Sequence, residues 1–330
     1  MNDRLPEGLD AFLDSAGWHG ASVDPLAGDA SFRRYFRIES NGRKAMLMHA
    51  PPPHEDPRPF LEVAEWLHAQ GLRAPVIYAA RAEDGWVLLE DFGDDRMRDV
   101  LDLHPDQEVE TYRAAIDALV ALHGHSAGPF PPYDMAVYQR EVALFTEWYC
   151  PAAGLDVDAA GWAAAWDAVL QPVLERQQPG VTVLRDYHAE NIMLLGAGEP
   201  QGLIDFQDAL IGHRAYDLVS LLQDARRDVS PELEQAMLRH YLAQVDGGDH
   251  FLSDYAVLGA QRNAKIVGIF ARLWQRDGKP RYLPMIPRVW EAMERDLAEP
   301  ALAPVAQWFA DNIPSAVRQA HGGKLGEFQG

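Results

Sequence analysis

The sequence predicts an α+β protein of two lobes, in which a small antiparallel sheet with one helix precedes a larger, mostly helical part. Three observations support this prediction. Residues 1–91 contain short strand-like runs, two of them joined by an Asn-Gly turn at positions 41–42. Residues 92–330 repeat apolar positions at helical spacing in one segment after another. Within that second part, short apolar runs enclose a cluster of polar side chains. We therefore place a domain boundary after residue 91.

The first lobe begins with an apolar stripe at helical spacing in residues 3–17. Residues 31–40 and 43–50 have strand-like composition on either side of the Asn-Gly turn. Residues 56–71 have a proline near the start and a glycine at the end, which is typical of a helix. Two more strand-like runs complete an antiparallel sheet, at residues 74–81 and 85–92.

The second lobe contains long segments with helical periodicity and a small β element among them. The strand-like runs are residues 181–187, 191–195 and 202–207. The predicted helices are residues 109–125, 136–150, 161–177, 216–227, 231–245, 255–276 and 287–298.

Composition excludes several classes of partner. The chain has 330 residues, of which 48% are hydrophobic, and a net charge of −21, which disfavours binding to nucleic acid or to anionic membranes. Its single cysteine, Cys150, requires no oxidising compartment. Neither a signal peptide nor a membrane-spanning run is evident. We expect a soluble cytoplasmic protein, with a monomer as the default, whose partners are small molecules.

The polar cluster VLRDYHAENIMLL, which begins at Val183, carries more polar side chains than a turn requires. Asn191 opens one apolar run, and a second run ends at Asp205, so an antiparallel hairpin would bring these two residues together. Asp186 lies in the loop just before. Transfer of phosphate from ATP needs a carboxylate to accept the proton of the acceptor hydroxyl, and oxygen ligands to hold a metal. We expect Asp186 to be the base and Asn191 and Asp205 to bind Mg²⁺, or Mn²⁺, at an ATP site.

At these residues the sequence resembles the aminoglycoside phosphotransferase and choline kinase branch of the protein-kinase-like superfamily. RDYHAEN stands at the family's catalytic loop, and IDFQ stands where kinases have Asp-Phe-Gly. The resemblance covers almost the whole chain and implies a bilobal protein-kinase-like fold. Stretches such as DASFRRYFR and GIFARLWQRDGKPRYL are most similar to bacterial kinases of cell-wall recycling. That similarity implies phosphorylation of the anomeric hydroxyl of N-acetylmuramate or N-acetylglucosamine.

Two departures from the family concern the nucleotide. The loop GDASFRR has one glycine where protein kinases have three, and the strand KAMLMHA lacks the lysine that meets the phosphates. A basic neighbour is expected to replace that lysine, while the segment LLEDFGDD would meet adenine through backbone groups. The residues expected at ATP are Gly28, Ser31, Arg33, Arg34, Lys44, Glu90 and Phe92.

For the sugar, Glu147 and Trp148 are candidates because an aromatic face suits a pyranose, although such aromatics more often pack in a core. Lys265 and Arg272 fall on one helical face and would suit the carboxylate of muramate, but a solvated basic face is an equal alternative. His188 is a further substrate candidate, with a structural role in the loop as the main interpretation.

Three other assignments depend on the surroundings of the loop. Asp217 either caps a helix or supports the catalytic loop. Glu190 is expected to be exposed, and His123 to be a buried histidine whose hydrogen bonds are satisfied.

Two alternative functions stay open at this point. One is phosphorylation of an aminoglycoside or another small alcohol, and the other is a nucleotide-binding pseudokinase.

Overall fold

The computed structural model describes residues 5–26, 32–323 and 325 of the chain. The described residues form two compact units. The first comprises the chain up to Arg96 together with Asn191–Asp208, and the second comprises Met97–Glu190 and the chain from Ala209 onwards. The predicted division after residue 91 differs from this grouping, in which residues 92–96 and the segment Asn191–Asp208 belong with the first unit.

Helices and strands follow one another along the chain with these bounds. Up to residue 96 they are α1 (Leu9–Ser15), β1 (Ser22–Pro25), β2 (Arg34–Ser40), β3 (Arg43–His49), α2 (Arg58–Ala69), β4 (Ile77–Arg81) and β5 (Trp86–Leu89). From residue 97 to residue 212 they are α3 (Met97–Leu103), α4 (Glu108–Gly124), α5 (Met135–Leu144), a π-helical turn (Phe145–Tyr149), α6 (Cys150–Ala152), α7 (Ala159–Arg176), β6 (Val181–Val183), β7 (Ile192–Met193), β8 (Gly202–Leu203) and β9 (Leu210–Gly212). The remaining helices are α8 (Ala215–Leu222), α9 (Pro231–Leu242), α10 (Phe251–Asp277), α11 (Ile286–Asp296), α12 (Ala303–Asn312) and α13 (Ser315–Gln319).

The sheet of the first unit has the strand order β1-β2-β3-β5-β4, and all neighbours are antiparallel. Asn41 and Gly42 both adopt positive φ, at 52° and 74°, because the tight turn between β2 and β3 follows the twist of the strands. On one side of the sheet, the α1 side chain of Phe12 stacks on Trp86 of β5 with ring centroids 5.8 Å apart. This packing gives the small unit its own apolar core.

The second unit is built around α10, which is 27 residues long and buried along most of its length. It packs against α5, α8 and α11. A Cβ atom at Gly268 would lie 2.3 Å from the backbone carbonyl carbon of Leu144, so the glycine lets α10 approach the end of α5 closely. Buried polar side chains on a helix need partners, and α10 carries several of them.

The predicted α+β class, with a small antiparallel sheet and a larger helical part, is confirmed. Two strands were not predicted. β1 is a short edge strand paired with β2, and β9 pairs with β6. Among the helices of the described ranges, none combines the length and the apolar character needed to span a membrane.

Candidate active site

The hairpin of β7 and β8 belongs to the first unit and brings two predicted site residues together. Ile192 pairs with Leu203, and the backbone N–H of Ile204 donates to the carbonyl of Asn191 at 3.1 Å. Across this hairpin, Asn191 Nδ2 donates to Asp205 Oδ2 at 3.2 Å. The other carboxylate oxygen of Asp205 accepts from Gln207 Nε2 at 2.9 Å. The result is an amide and a carboxylate side by side, with oxygen atoms of the kind that hard cations bind.

Asp205 is held by its backbone and by its neighbour in the chain. It adopts a φ of 60°, a left-handed conformation that aspartate tolerates better than most residues. The next residue, Phe206, is buried and stacks on Phe60 of α2, with ring centroids 4.9 Å apart and an interplanar angle of 12°. The aromatic pair anchors the segment, so the direction of the Asp205 side chain is fixed by packing of the residue beside it.

Arg33 lies in the same neighbourhood as Asp205. Its guanidinium pairs with Glu55 at 3.2 Å, and both side chains are largely buried. Burial raises the pKa of the nearby Tyr35, and the charges that act on this hydroxyl belong to Arg33, Asp205 and Glu55. An arginine that shares the surroundings of Tyr35 with Asp205 is a candidate for the cation that a phosphate would meet.

The other two basic candidates are placed differently. The guanidinium of Arg34 lies over the ring of Phe36, 5.0 Å from its centroid. Lys44 is paired in register with Glu39, which is four residues, or about 13 Å, along β2 from Tyr35. Lys44 therefore lies beside the Asn41-Gly42 turn, at the other end of the β2–β3 hairpin from Tyr35. Gly28 and Ser31 lie outside the described residues.

Glu90 and Phe92 both hold Arg73. The Glu90 carboxylate binds this guanidinium through both oxygens, at 2.6 and 2.7 Å, and this pairing lowers its pKa. The ring of Phe92 lies 4.6 Å from the guanidinium carbon on another side. The backbone N–H of Glu90 donates to the carbonyl of Val76 at 2.8 Å, so its own carbonyl is the group that could meet adenine.

In the second unit, Asp217 supports the loop that carries Asp186. Its carboxylate accepts the backbone N–H groups of Leu184 at 2.7 Å and Arg185 at 2.8 Å. The first N–H of helix α8, that of Ala215, donates to His213 Nδ1 at 3.2 Å, and both oxygens of Asp217 bind the loop, so the capping alternative for Asp217 is wrong. The side chain is fully buried, and burial raises its pKa to about 7, against the opposing effect of the two backbone hydrogen bonds.

Asp186 projects from this loop with 42% of its side chain exposed. Burial of the rest would raise its pKa, but the positive charges of Lys265, Arg262 and Arg185 outweigh that effect and hold the pKa at about 2. Arg262 Nη2 lies 3.5 Å from Asp186 Oδ1 and donates to Ser220 Oγ at 2.8 Å. The carboxylate is therefore ionised at neutral pH and partly open to solvent.

The residues after Asp186 form a polar network that fixes the loop. His188 is buried, with Nε2 3.2 Å from Arg226, and burial together with this arginine lowers its pKa well below the usual value, so the imidazole is neutral. Glu190 pairs with Arg226 at 3.0 Å and with Arg98. The expectation that Glu190 is merely exposed is wrong, because two arginines from distant segments neutralise it. Asp224, which the sequence did not single out, accepts the backbone N–H of Ala189 at 3.2 Å.

The residues predicted to bind the sugar differ in how deeply the structure buries them. Lys265 is buried and donates to Glu141 at 2.9 Å, so the alternative of a solvated basic face is wrong for it. Arg272 is half-buried, and burial, assisted by Arg276, lowers its pKa. Glu147 is exposed and Trp148 is half-buried on the π-helical turn.

His123 lies within the core, where its Nδ1 atom and the hydroxyl of Tyr241 are hydrogen-bonded at 2.8 Å, which agrees with a structural role.

Comparison with known proteins identifies related chains. Residues 22–255 match the phosphotransferase enzyme family. The chain is 40% identical to the N-acetylmuramate/N-acetylglucosamine kinase of Pseudomonas aeruginosa, over 94% of this chain and 95% of the relative. It is 38% identical to the protein of the same name from Caulobacter vibrioides, over 94% of this chain and 97% of the relative. The solved choline kinase of Streptococcus pneumoniae superposes with a TM-score of 0.64 over 89% of this chain and 97% of that one, and at 13% identity it shows the fold alone.

Proposed function

The chain belongs to the phosphotransferase enzyme family, and from this premise we propose that it transfers phosphate from ATP to the anomeric hydroxyl of N-acetylmuramate and N-acetylglucosamine. The names of the curated relatives supply the sugar class. The observation that carries the chemistry is the pairing of Asn191 with Asp205 across the β7–β8 hairpin, five residues after Asp186 in the chain. A pseudokinase is disfavoured because the chain keeps all three of these groups and the relatives are named as kinases.

We propose that Asn191 and Asp205 hold a divalent cation, with Mg²⁺ as the first choice and Mn²⁺ as a substitute. The hydrogen bond from Asn191 Nδ2 to Asp205 orients the amide, so the hard oxygen donors of the pair are its Oδ1 atom and the carboxylate. Within the described ranges, no group of three or more His, Cys, Asp or Glu is placed to hold a metal. Mg²⁺ fits this sparse donor set because it binds through one or two carboxylates and keeps waters and substrate phosphates. Once bound, the ion would neutralise phosphate charge.

The role that we propose for Asp186 is to accept the proton of the sugar hydroxyl. Its ionised, partly exposed carboxylate can receive a hydrogen bond from the acceptor and align its oxygen for attack. Asp217 holds the loop through two backbone hydrogen bonds, and the neutral His188 with its partner Arg226 holds the segment that follows. These contacts fix the loop that carries Asp186, and Arg262 lies 3.5 Å from one oxygen of its carboxylate.

We expect Arg33, rather than Lys44, to bind the phosphates of ATP. The variant R33M should raise the KM for ATP about 10- to 100-fold, because it removes charge-assisted hydrogen bonds to an anion. The matched variant K44M should change the KM by less than about twofold, because Lys44 lies at the far end of the strand. Steady-state kinetics with varied ATP checks both, and a larger effect from K44M than from R33M would reverse the assignment.

We further propose that Arg272 recognises the carboxylate of N-acetylmuramate. Arg272 lies on the same helical face of α10 as Lys265, which binds Glu141 of α5, and as Gly268, where α10 meets the end of α5. Lys265 is already paired with Glu141, whereas Arg272 is half-buried, as is Trp148 on the π-helical turn that follows α5. This pair suits a pyranose with an attached acid.

The variant R272M should therefore lower kcat/KM for N-acetylmuramate about 10- to 100-fold and leave that for N-acetylglucosamine within about twofold, since only the first sugar carries the acid. Parallel kinetics with the two sugars measures this change in preference. R113M, which removes an exposed arginine of α4, is the control for loss of charge. An equal loss for both sugars would show that Arg272 supports the fold and does not select the substrate.

A panel of acceptors scored by ADP release tests the proposed function as a whole. It contains both N-acetylated sugars, the methyl glycoside of N-acetylglucosamine, kanamycin and choline. We expect ADP release with the two free sugars, and only background with the methyl glycoside because its anomeric oxygen is blocked. Release with kanamycin and none with the sugars would replace the proposed substrate by an aminoglycoside.

A further inference from the structure

Glu141 of α5 is a buried carboxylate in contact with four donors. It is 5% exposed. Lys265 Nζ and Gln261 Nε2, both from α10, donate to it at 2.9 and 3.2 Å. The guanidinium of Arg185 and the hydroxyl of Tyr133 also donate to it. So many donors leave the carboxylate ionised, and burial, which would raise its pKa, is overcome by Lys265 and Arg185, so the pKa falls to about 2.

The two cations that Glu141 binds are also the neighbours of Asp186. Arg185 precedes Asp186 in the chain, and Lys265 is the cation that most strongly favours its ionised form. Both could reach a second carboxylate if the first were removed, because long basic side chains move easily to the nearest negative charge. Asp186, which already lies 3.5 Å from Arg262, would then accept further hydrogen bonds from protein cations in place of one from the substrate.

The backbone adds a second constraint at the same place. Arg185 adopts a φ of 69°, which is unusual for a residue with a long side chain. Asp217 binds its N–H group, and Glu141 binds its guanidinium. The strained residue is thus held at both ends, and its side chain points to Glu141 while the next side chain, Asp186, is left partly exposed.

We propose that Glu141 is a positioning residue that holds Lys265 and Arg185 away from Asp186, so that the Asp186 carboxylate stays available to the acceptor hydroxyl. The inference rests on the proposed function of Asp186. It assigns Lys265 to Glu141 and not to a substrate. Glu141 acts through the two cations and not by contact with substrate or nucleotide.

The test is a double-mutant cycle of Glu141→Gln and Lys265→Met, with ATP and N-acetylglucosamine as substrates. E141Q should lower kcat about 10- to 100-fold and leave the KM for ATP within about twofold, because part of the contribution of the base is lost. In E141Q/K265M one freed cation is gone, so kcat should recover about tenfold relative to E141Q. If Glu141 only supports packing, kcat of the double variant should fall further below that of E141Q, since the double variant loses more contacts than the single one.

A kcat for E141Q/K265M equal to or below that of E141Q would overturn the inference, as would an E141Q kcat at the wild-type level. Circular dichroism and thermal melting show whether each variant is folded. If E141Q melts below the assay temperature, E141D is measured in the wild-type and K265M backgrounds, and its cost should be smaller in the second. If the wild type does not phosphorylate the sugar, the proposed function fails, and the same cycle is measured with whichever acceptor releases ADP.

Discussion

Asp186→Asn is expected to reduce kcat about 10²- to 10⁴-fold and to leave the dissociation constant of ATP within about twofold of the wild-type value. Asparagine keeps the shape of the side chain and loses the ability to accept a proton. The binding of nucleotide should be unaffected because the residues proposed for ATP lie in other segments. Single-turnover kinetics measures the chemical step, and calorimetric titration with a nonhydrolysable ATP analogue measures binding.

Asp156→Asn is the matched control, since it removes an exposed carboxylate from the same unit. It should change kcat by less than about twofold. Because the pKa of Asp186 is about 2, below the ordinary value for aspartate, the residue stays ionised as the pH falls until well below 4. No loss of wild-type activity between pH 8 and pH 5 should therefore come from Asp186. A D186N enzyme with wild-type turnover would remove Asp186 as the base.

Asp205→Asn should have the second large effect, a loss of about 10²-fold or more in kcat/KM for ATP together with a higher Mg²⁺ concentration at half-maximal rate. The change removes the negative charge that attracts the cation, and the new amide oxygen can keep one of the two hydrogen bonds that Asp205 accepts from Asn191 and Gln207. Initial rates at a series of MgCl₂ concentrations and constant ATP measure both effects.

Asp24→Asn removes an exposed carboxylate of β1 in the same unit and should leave the Mg²⁺ dependence unchanged. If D205N lowered the rate without shifting that dependence, Asp205 would have a role other than metal binding. Recovery of part of the D205N rate by Mn²⁺, which binds nitrogen and oxygen donors more readily than Mg²⁺, would support the assignment.

Local sequence signals predicted the elements that depend on residues close together in the chain, such as tight turns and hairpins. Asn41-Gly42 has the φ angles that a tight hairpin demands, so the turn between β2 and β3 could be placed from two residues. The hairpin that joins Asn191 to Asp205 followed from two apolar runs and the short connection between them. β1 and β9 were missed because strands of three or four residues, one of them exposed on an edge, carry no clear alternation.

The polar network around Asp186 could not be predicted because its members meet only after the helices pack. Glu141 is 44 residues from Arg185 and 124 residues from Lys265 in the chain. On α10, a lysine at helical spacing has the same pattern whether it faces solvent or a buried carboxylate. Glu190 was misjudged for the same reason, since Arg98 and Arg226 come from segments on either side of it in the chain.

The same limit applies to the choice among the basic residues of the first unit. Arg33, Arg34 and Lys44 were equal candidates in sequence, because any of them could replace a missing lysine. What distinguishes Arg33 from Lys44 is the register of β2 with β3 and the ion pair of Arg33 with Glu55. Neither feature can be recognised from a local sequence pattern.

We propose that this enzyme places the γ-phosphate of ATP on the anomeric oxygen of an N-acetylated amino sugar. Phosphorus NMR of a mixture of the protein, ATP, Mg²⁺ and N-acetylmuramate shows which oxygen of the sugar receives the phosphate. We predict a new phosphomonoester signal, coupled to the anomeric proton of the sugar, that grows as ADP appears. Formation of ADP and free phosphate alone, or a phosphoester coupled to any other sugar proton, would exclude transfer to the anomeric oxygen.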